Sequence, residues 1–317
     1  MKLKRENKYK PWSAIPYGVE MVDLISIRDL KKENVKEILD LADSVADGKK
    51  KIDLRGRIIA TLFFEPSTRT KLSFQSAAMR LGMTYIDFLP ELSSLKKGES
   101  FADTIKTVEG YADILVVRHA KEGSARLAAD MSTKPVINGG DGGNQHPTQT
   151  LIDLFSIRRM RGKIDGLNVT LLGDLKHART MRSLVYGLAM FNANITLISP
   201  KGLEMDPNYL AEVEKKFGLS VTTKNEPEFK DADVLYVCRI QAERFADPYE
   251  AQSIMKKFKV KKEDLEGTKK DLAILHPLPK VSEIDPEIDK MPQARYFEQA
   301  HYGVPLRMAV IDYVLRR

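Results

Sequence analysis

Short apolar runs alternate with stretches of helical period along almost the whole chain. The first helical stretch follows Ser26: Val35, Ile38, Leu39, Ala42 and Val45 recur at helical spacing, and Gly48 supplies a stop. Arg57-Ile58-Ile59-Ala60-Thr61-Leu62-Phe63-Phe64 is a mostly apolar run of strand length, the kind that suits a strand buried on both faces of a parallel sheet. A helix is expected next, with Phe74, Ala78 and Leu81 on one side and Gly82 at its end. Strand-like Met83–Leu89, helical Phe101–Tyr111, strand-like Ile114–Val117 and helical Ser124–Met131 continue the alternation. A helical segment, Thr148–Arg161, links this half to a second of the same style. There Leu167–Leu172, Ile195–Ser199, Val234–Val237 and Leu272–Leu275 read as strands, and Arg179–Met190 and Pro207–Phe217 as helices. The final helix carries Val304, Met308, Ile311 and Leu315 on one stripe.

This alternation predicts an α/β protein of two domains, each a mostly parallel open sheet with helices on both faces. At 317 residues the chain exceeds what one core usually organises. The expected division is residues 1–147, of which 1–20 form a tail, then residues 148–300, with 301–317 a helix packing back on the first domain. Hydrophobic residues at 43% and charged residues at 30% are ordinary for a globular protein. No apolar run approaches the roughly 20 residues needed to cross a bilayer. The basic start, Met1 to Lys10, has no apolar stretch behind it and does not read as a secretory signal. Cys238, the sole cysteine, excludes an internal disulfide and a Cys-rich zinc site; it reads as a small buried residue at a strand end and fits a reducing cytoplasm. A net charge of +7 suits an enzyme for anionic substrates or a nucleic-acid binder. The basic runs Lys49-Lys50-Lys51 and Lys256-Lys257 read as solvated faces, and neither a zinc finger nor a basic–aromatic RNA-binding pattern is present, which disfavours nucleic acid.

Open α/β sheets bind ligands outside the carboxyl ends of their strands, so the informative residues are the polar ones that follow strands. Five groups do. Glu65-Pro66-Ser67-Thr68-Arg69-Thr70 joins a buried strand to a helix start, where free backbone N–H groups, hydroxyls and a guanidinium fork together suit a phosphate; the bland alternative is a plain N-cap. Ser93-Ser94-Leu95-Lys96-Lys97-Gly98-Glu99 reads by itself as a mobile basic loop. Val117-Arg118-His119 ends a strand. His146-Pro147-Thr148-Gln149 follows the glycine cluster Gly139-Gly140-Asp141-Gly142-Gly143, which permits close backbone approach to a ligand. The fifth group combines Gly173-Asp174-Leu175-Lys176-His177-Ala178-Arg179-Thr180, Arg239-Ile240-Gln241-Ala242-Glu243-Arg244 and His276-Pro277-Leu278-Pro279; no Gly-x-Gly-x-x-Gly accompanies Gly173, which argues against a dinucleotide site.

Phe64-x-x-Ser67-Thr68-Arg69-Thr70 resembles the carbamoyl-phosphate signature of the aspartate/ornithine carbamoyltransferase family, and the other groups match that family in order from about Ser26 to the C-terminus. The resemblance implies that Ser67, Thr68, Arg69 and Thr70 hold the phosphate, with Thr70 also touching the carbamoyl oxygen. Arg118 and His146 would face the carbamoyl oxygen, Gln149 the carbamoyl group, and Leu278 and Pro279, joined by a bond that is cis in the family, would complete the carbamoyl-phosphate site. Ser93 (or its neighbour Ser94) and Lys97 would reach in from an adjacent subunit, making a homotrimer with shared active sites. Arg179, Arg239 and Gln241, with Lys97, would take the two carboxylates of L-aspartate. The rival acceptor, ornithine, goes with a Cys in the late motif, where this chain has Pro277, and with an acidic grip on a second ammonium, where this chain offers Arg239 and Gln241. A non-catalytic homologue would be expected to lose site residues, and none is missing.

The reaction so implied needs no metal and no organic cofactor. The amine of aspartate loses a proton and attacks the carbamoyl carbon; Thr70, Arg118 and His146 donate to the tetrahedral oxyanion, and Ser67, Thr68, Arg69 and Lys97 stabilise the departing phosphate. Domain closure and movement of the Lys97 loop would bring the reactants together. With aspartate as the acceptor, the resemblance implies a role in pyrimidine biosynthesis. The loop Arg118–Arg126, with Glu122 and Asn144, resembles the surface that docks a zinc-containing regulatory chain in allosteric members.

Overall fold

A strand whose every side chain is apolar needs cover on both faces, and both sheets supply it. The computed structural model describes residues 22–241, 245 and 247–316. The expected tail at residues 1–20, and residues 242–244 of the fifth group, lie outside the described residues. The chain divides into two units. One takes the described residues up to Thr148 and those from Val304 on; the other is Gln149–Gly303.

The first unit contains α1 (Lys32–Ala46), β1 (Ile58–Phe63), α2 (Thr68–Arg80), β2 (Thr84–Phe88), α3 (Phe101–Val108), β3 (Ile114–His119), α4 (Ser124–Met131) and β4 (Val136–Asp141). Its sheet is wholly parallel, in the order β2-β1-β3-β4. Ala60, Leu62, Leu115 and Val117 pack with Ile105 and Val108 of α3 and Ala125 and Ala128 of α4. Alternate strand residues point the other way. Ile59, Thr61, Ile114 and Val116 are buried too, and Gln75 of α2 donates to Thr61 Oγ1 at 3.3 Å, which places α2 on that second face. Helices therefore cover both faces. The strand order reverses between β1 and β3, so the loops after these two strands diverge and leave a crevice at their carboxyl ends.

The second unit begins within α5 (Pro147–Arg161) and continues with β5 (Asn168–Leu172), α6 (Arg179–Met190), β6 (Asn194–Ile198), α7 (Pro207–Phe217), β7 (Thr222–Lys224), β8 (Val234–Val237), α8 (Pro248–Lys257) and β9 (Ala273–Leu275). The sheet order is β7-β6-β5-β8-β9, again all parallel, with its reversal between β5 and β8. Leu235, Val237 and Ile274 pack on one face with Phe258 and Val260, while Tyr236, pointing oppositely, donates its hydroxyl to Asp153 of α5 at 2.9 Å. The last helix, α9 (Tyr296–Arg316), crosses the division at Val304.

Four elements depart from the pattern expected. The run Val136–Asp141 is a fully buried strand although it contains two glycines; at Gly139 a Cβ would stand 3.4 Å from Val116 Cγ1 and from the Val117 carbonyl, at the near edge of ordinary contact. β7 and α8 are short elements that the hydrophobic pattern does not announce. Of the expected stripe of α9, Ile311 is fully buried while Val304, Met308 and Leu315 are half-buried; Leu306, Ala309, Val310, Tyr313 and Val314 are buried beside it. The helix is enclosed around most of its circumference near its end, so no single apolar stripe defines its inner face.

Candidate active site

The loop after β1 carries the first polar group. Ser67 is the N-cap of α2 in extended conformation, yet its side chain makes no capping hydrogen bond. The N-cap reading of this hydroxyl is thus set aside. Thr68 and Arg69 are exposed at the helix start, and Thr70 is buried, with its Oγ1 3.4 Å from His146 Nε2. An ion pair between Lys71 and Asp87, 2.7 Å, fixes the first turn of α2 to the end of β2.

Arg118 stands opposite Phe63 in the β1–β3 ladder, and its carbonyl accepts from Phe64 N at 2.8 Å, so it borders the start of that same loop. Its guanidinium is aimed by two contacts: Nη1 donates to Gly139 O at 3.0 Å and Nη2 pairs with Glu65 at 2.6 Å. Beside it Phe64, Phe88, Phe101 and His119 form an aromatic cluster with ring centroids 5.2–5.3 Å apart. Burial in that cluster and the nearby Lys121 charge lower the His119 pKa against the opposing pull of Glu65. Nδ1 of this ring accepts from Lys121 N at 2.9 Å.

His146 is placed by the loop that follows β4. The buried Asp141 carboxylate organises that loop, accepting from Asn138 Nδ2 (2.8 Å), Gln145 N (3.1 Å), Gly123 N (2.8 Å) and Asn144 Nδ2 (3.0 Å). Gly142, at φ +51°, is required: a Cβ would lie 2.8 Å from Ala120 O and 2.9 Å from Glu122 N. His146 itself is 4% exposed. Thr70, Arg118 and His146 thus follow three adjacent strands, β1, β3 and β4, at one edge of one sheet.

Ser93 and Lys97 lie between β2 and α3 in a segment folded as two 3-10 turns. Ser93 accepts from Leu95 N and donates to Pro90 O at 2.8 Å, and Gly98, at φ +90°, ends the second turn. Lys97 is exposed, and no described contact joins it to Thr70, Arg118 or His146.

The second unit gathers the remaining residues. Arg239, Gln241, Leu278 and Pro279 line one pocket of about 160 Å³ with Ala178, Thr180, Cys238, His276 and Pro277. The pocket sits at the carboxyl ends of β8 and β9 beside the start of α6, at the point where the sheet order reverses. Arg179, the first residue of α6, is half-buried between Ala178 and Thr180. Cys238 is 3% exposed at the strand end, and burial next to Asp174 pushes its thiol pKa well up. Leu278 takes a left-handed φ of +55° ahead of a cis peptide bond to Pro279, and its N–H donates to His276 Nδ1 at 2.8 Å. Since Nδ1 accepts, the proton of that imidazole is on Nε2, 2.8 Å from Glu283 Oε1. Gln149 donates to Asp153 at 2.8 Å. Glu65, Asp153, Glu283 and Gln299 carry much of this geometry and escape sequence reasoning; only their partners, distant along the chain, mark them. Among the described residues no cluster of His, Cys, Asp or Glu could hold a metal ion, and no helix is long and apolar enough to cross a membrane.

Residues 22–159 match the model of the aspartate/ornithine carbamoyltransferase carbamoyl-P binding domain, and residues 165–314 match that of the family's Asp/Orn binding domain. The aspartate carbamoyltransferase catalytic subunit of Thermococcus onnurineus is 51% identical over 300 residues, 92% of this chain and 96% of that protein. Its counterpart in Methanopyrus kandleri is 50% identical, covering 92% and 97%. The solved catalytic subunit of M. jannaschii aspartate transcarbamoylase superposes with a TM-score of 0.87 at 46% identity, covering 93% of this chain and 98% of that one. Aspartate transcarbamoylase from Trypanosoma cruzi, solved with N-(phosphonacetyl)-L-aspartic acid, gives 0.87 at 32% identity, covering 92% and 95%. With two parallel sheets, each carrying its polar groups where the strand order reverses, and with both domain models matched in sequence, the chain belongs to the aspartate/ornithine carbamoyltransferase family.

Proposed function

We propose that the chain transfers the carbamoyl group of carbamoyl phosphate to the α-amino group of L-aspartate, giving N-carbamoyl-L-aspartate and phosphate, the chemistry of an aspartate carbamoyltransferase. The observation that carries this reading is the pocket at the second reversal, where Arg239 and Gln241 stand by the turn Leu278-Pro279. A guanidinium and an amide suit a carboxylate, whereas the ammonium of ornithine would need an acid. The first unit supplies the donor site: Ser67, Thr68 and Arg69 bind the phosphate and Thr70, Arg118 and His146 donate to the carbamoyl oxygen as it becomes an oxyanion. Thr70 and His146 already lie side by side, which favours their acting on one oxygen. Gln149, Leu278 and Pro279 hold the carbamoyl group; Arg179, Arg239 and Gln241 hold aspartate. Attack by the neutral amine forms the C–N bond, phosphate leaves with the electrons of the C–O bond, and the nitrogen sheds its proton. The test is direct: purified protein with carbamoyl phosphate and either aspartate or ornithine, scoring the ureido product. Turnover with ornithine equal to or above that with aspartate rejects the assignment.

The chain acts as a homotrimer in which Ser93 and Lys97 enter a neighbour's site. Support comes from the outward display of Lys97 and of Leu92, which is 80% exposed in the turn just before it. Lys97→Ala and Arg69→Ala proteins, each inactive alone, should regain part of wild-type activity when dissociated and reassembled together; mixed trimers that stay inactive refute sharing. The catalytic-subunit designation of the relatives further suggests a regulatory chain, to which the sequence resemblance adds zinc. Exposed Glu122, Arg126 and Asn144 offer its dock, with Gly123 and Asn144 both anchored to Asp141. Alone, the chain should then respond hyperbolically to aspartate. The assignment places the protein in pyrimidine biosynthesis, in the cytoplasm.

A further inference from the structure

Both carbamoyl-holding elements of the second unit are tied to one buried carboxylate. Asp153, on α5 one turn after Gln149, is fully buried. Its Oδ1 accepts from Gln149 Nε2 at 2.8 Å and from Gln299 Nε2 at 2.7 Å, and its Oδ2 accepts from the Tyr236 hydroxyl at 2.9 Å. Gln299, 1% exposed on α9, uses its Oε1 to accept the His276 backbone N–H at 2.9 Å. His276 in turn holds Leu278 N through Nδ1 and is itself held by Glu283 through Nε2. A continuous path of hydrogen bonds thus runs from Gln149 to the turn His276–Pro279, entirely within the second unit.

We propose that Asp153 is a positioning residue for carbamoyl transfer, fixing the amide of Gln149 and, through Gln299, the His276–Pro279 turn. This rests on the assignment of Gln149 and Leu278 to the carbamoyl group made above. The chemistry explains why a carboxylate stands there. A carboxylate only accepts, so it fixes which end of each glutamine amide faces it. Nε2 of Gln149 must turn inward, and its Oε1 is presented as an acceptor, the group that a carbamoyl NH2 requires. Gln299 is oriented by the same argument, with Nε2 to Asp153 and Oε1 to His276 N. An asparagine at 153 would present an NH2 as readily as an oxygen and would let the Gln149 amide flip. A buried carboxylate is costly to desolvate, and packing alone would be served as well by an apolar residue.

The test is a double-mutant cycle read by calorimetry, with carbamoyl phosphate and inorganic phosphate as the two probes. Asp153→Asn should weaken carbamoyl phosphate by about tenfold, the loss of one well-placed hydrogen bond. In a Gln149→Ala background the same substitution should change its affinity by less than about twofold, because the two residues act as a unit. Inorganic phosphate, which lacks the carbamoyl group, should bind both variants as it binds the parent. Equal weakening by Asp153→Asn in both backgrounds, or weakening of both probes alike, reduces Asp153 to a structural group and overturns the proposal. If Gln149→Ala weakens carbamoyl phosphate while Asp153→Asn does not, the relay alone falls. If Gln149→Ala changes nothing, the carbamoyl assignment of Gln149 falls and takes the relay with it. Should Asp153→Asn fail to fold, Gln299→Met removes both links of the relay. It should also weaken carbamoyl phosphate selectively, and unchanged affinity in that variant overturns the proposal.

Discussion

Gly173→Ala tests whether the second reversal point is as tightly built as it must be to place Arg239. Gly173 follows β5 at φ +133°, a backbone conformation that a residue with a Cβ rarely adopts. A Cβ there would lie 2.3 Å from Cys238 O and 2.8 Å from Cys238 Sγ. Neither strand can yield cheaply. Cys238 N is bonded to Leu172 O at 2.8 Å and Gly173 N to Ile198 O at 3.0 Å, so relief of the clash breaks the sheet at its reversal. Backbone strain of about 1–3 kcal/mol and overpacking of about 1–3 kcal/mol together suggest a loss of about 3–5 kcal/mol. That is a large part of the roughly 5–15 kcal/mol that holds a typical domain folded. Arg239 immediately follows Cys238, so a displacement of Cys238 moves Arg239, the residue proposed above to hold aspartate. Urea denaturation should show the stability loss, and steady-state kinetics should show the aspartate KM rising more than the affinity for inorganic phosphate falls. A variant that loses less than about 1 kcal/mol and keeps its aspartate KM would refute the argument, because the strands would have to part freely at that point.

Three further outcomes follow from the site. Arg239→Met should raise the aspartate requirement by the worth of one charge-assisted contact, about 1.5–3 kcal/mol, with little change in carbamoyl phosphate binding; calorimetry showing both ligands weakened alike would remove Arg239 as the discriminating group. His146→Ala should lower turnover by about two to three orders of magnitude while thermal unfolding changes little, and near-full turnover would make His146 structural. Glu283 is held down to about 2 from an ordinary 4.5: burial opposes the shift, but the His276 hydrogen bond and backbone donors including Val281 N outweigh it. A lowered carboxylate pKa stabilises the fold fully above pH 4.5 and loses that contribution as pH falls towards 2, about 3 kcal/mol in all. Glu283→Gln should therefore flatten the acid limb of the stability–pH curve, and an unchanged limb would show that the pair contributes little.

Legibility in the sequence followed locality. β1 could be read because its run is mostly apolar, and α6 and α7 have the boundaries expected. β4 could not, since its two glycines, Gly139 and Gly140, interrupt the apolar pattern of a strand. The candidate site residues after β1, β3 and β8 stand out as polar groups directly following apolar runs. Glu65, Asp153 and Gln299 do not, because Arg118, Tyr236 and His276, which hold them, lie 53, 83 and 23 positions away. Lys97 is exposed and makes no described contact with Thr70, Arg118 or His146, so its role rests on the shared site proposed above.

The return of α9 reverses the order in which the two halves can be completed during synthesis. The second unit is continuous, Gln149–Gly303, while the first needs residues from Val304 onward. Leu306, Ala309, Val310 and Val314 are fully buried, and the guanidinium of Arg307 lies 4.8 Å from the Phe74 ring and bonds to Thr148. Until the ribosome releases those last residues, the half made first has an open groove along Phe74, and the half made second is the one able to close. A nascent chain that lacks the residues from Val304 onward thus carries its first unit unfinished while its second can already close.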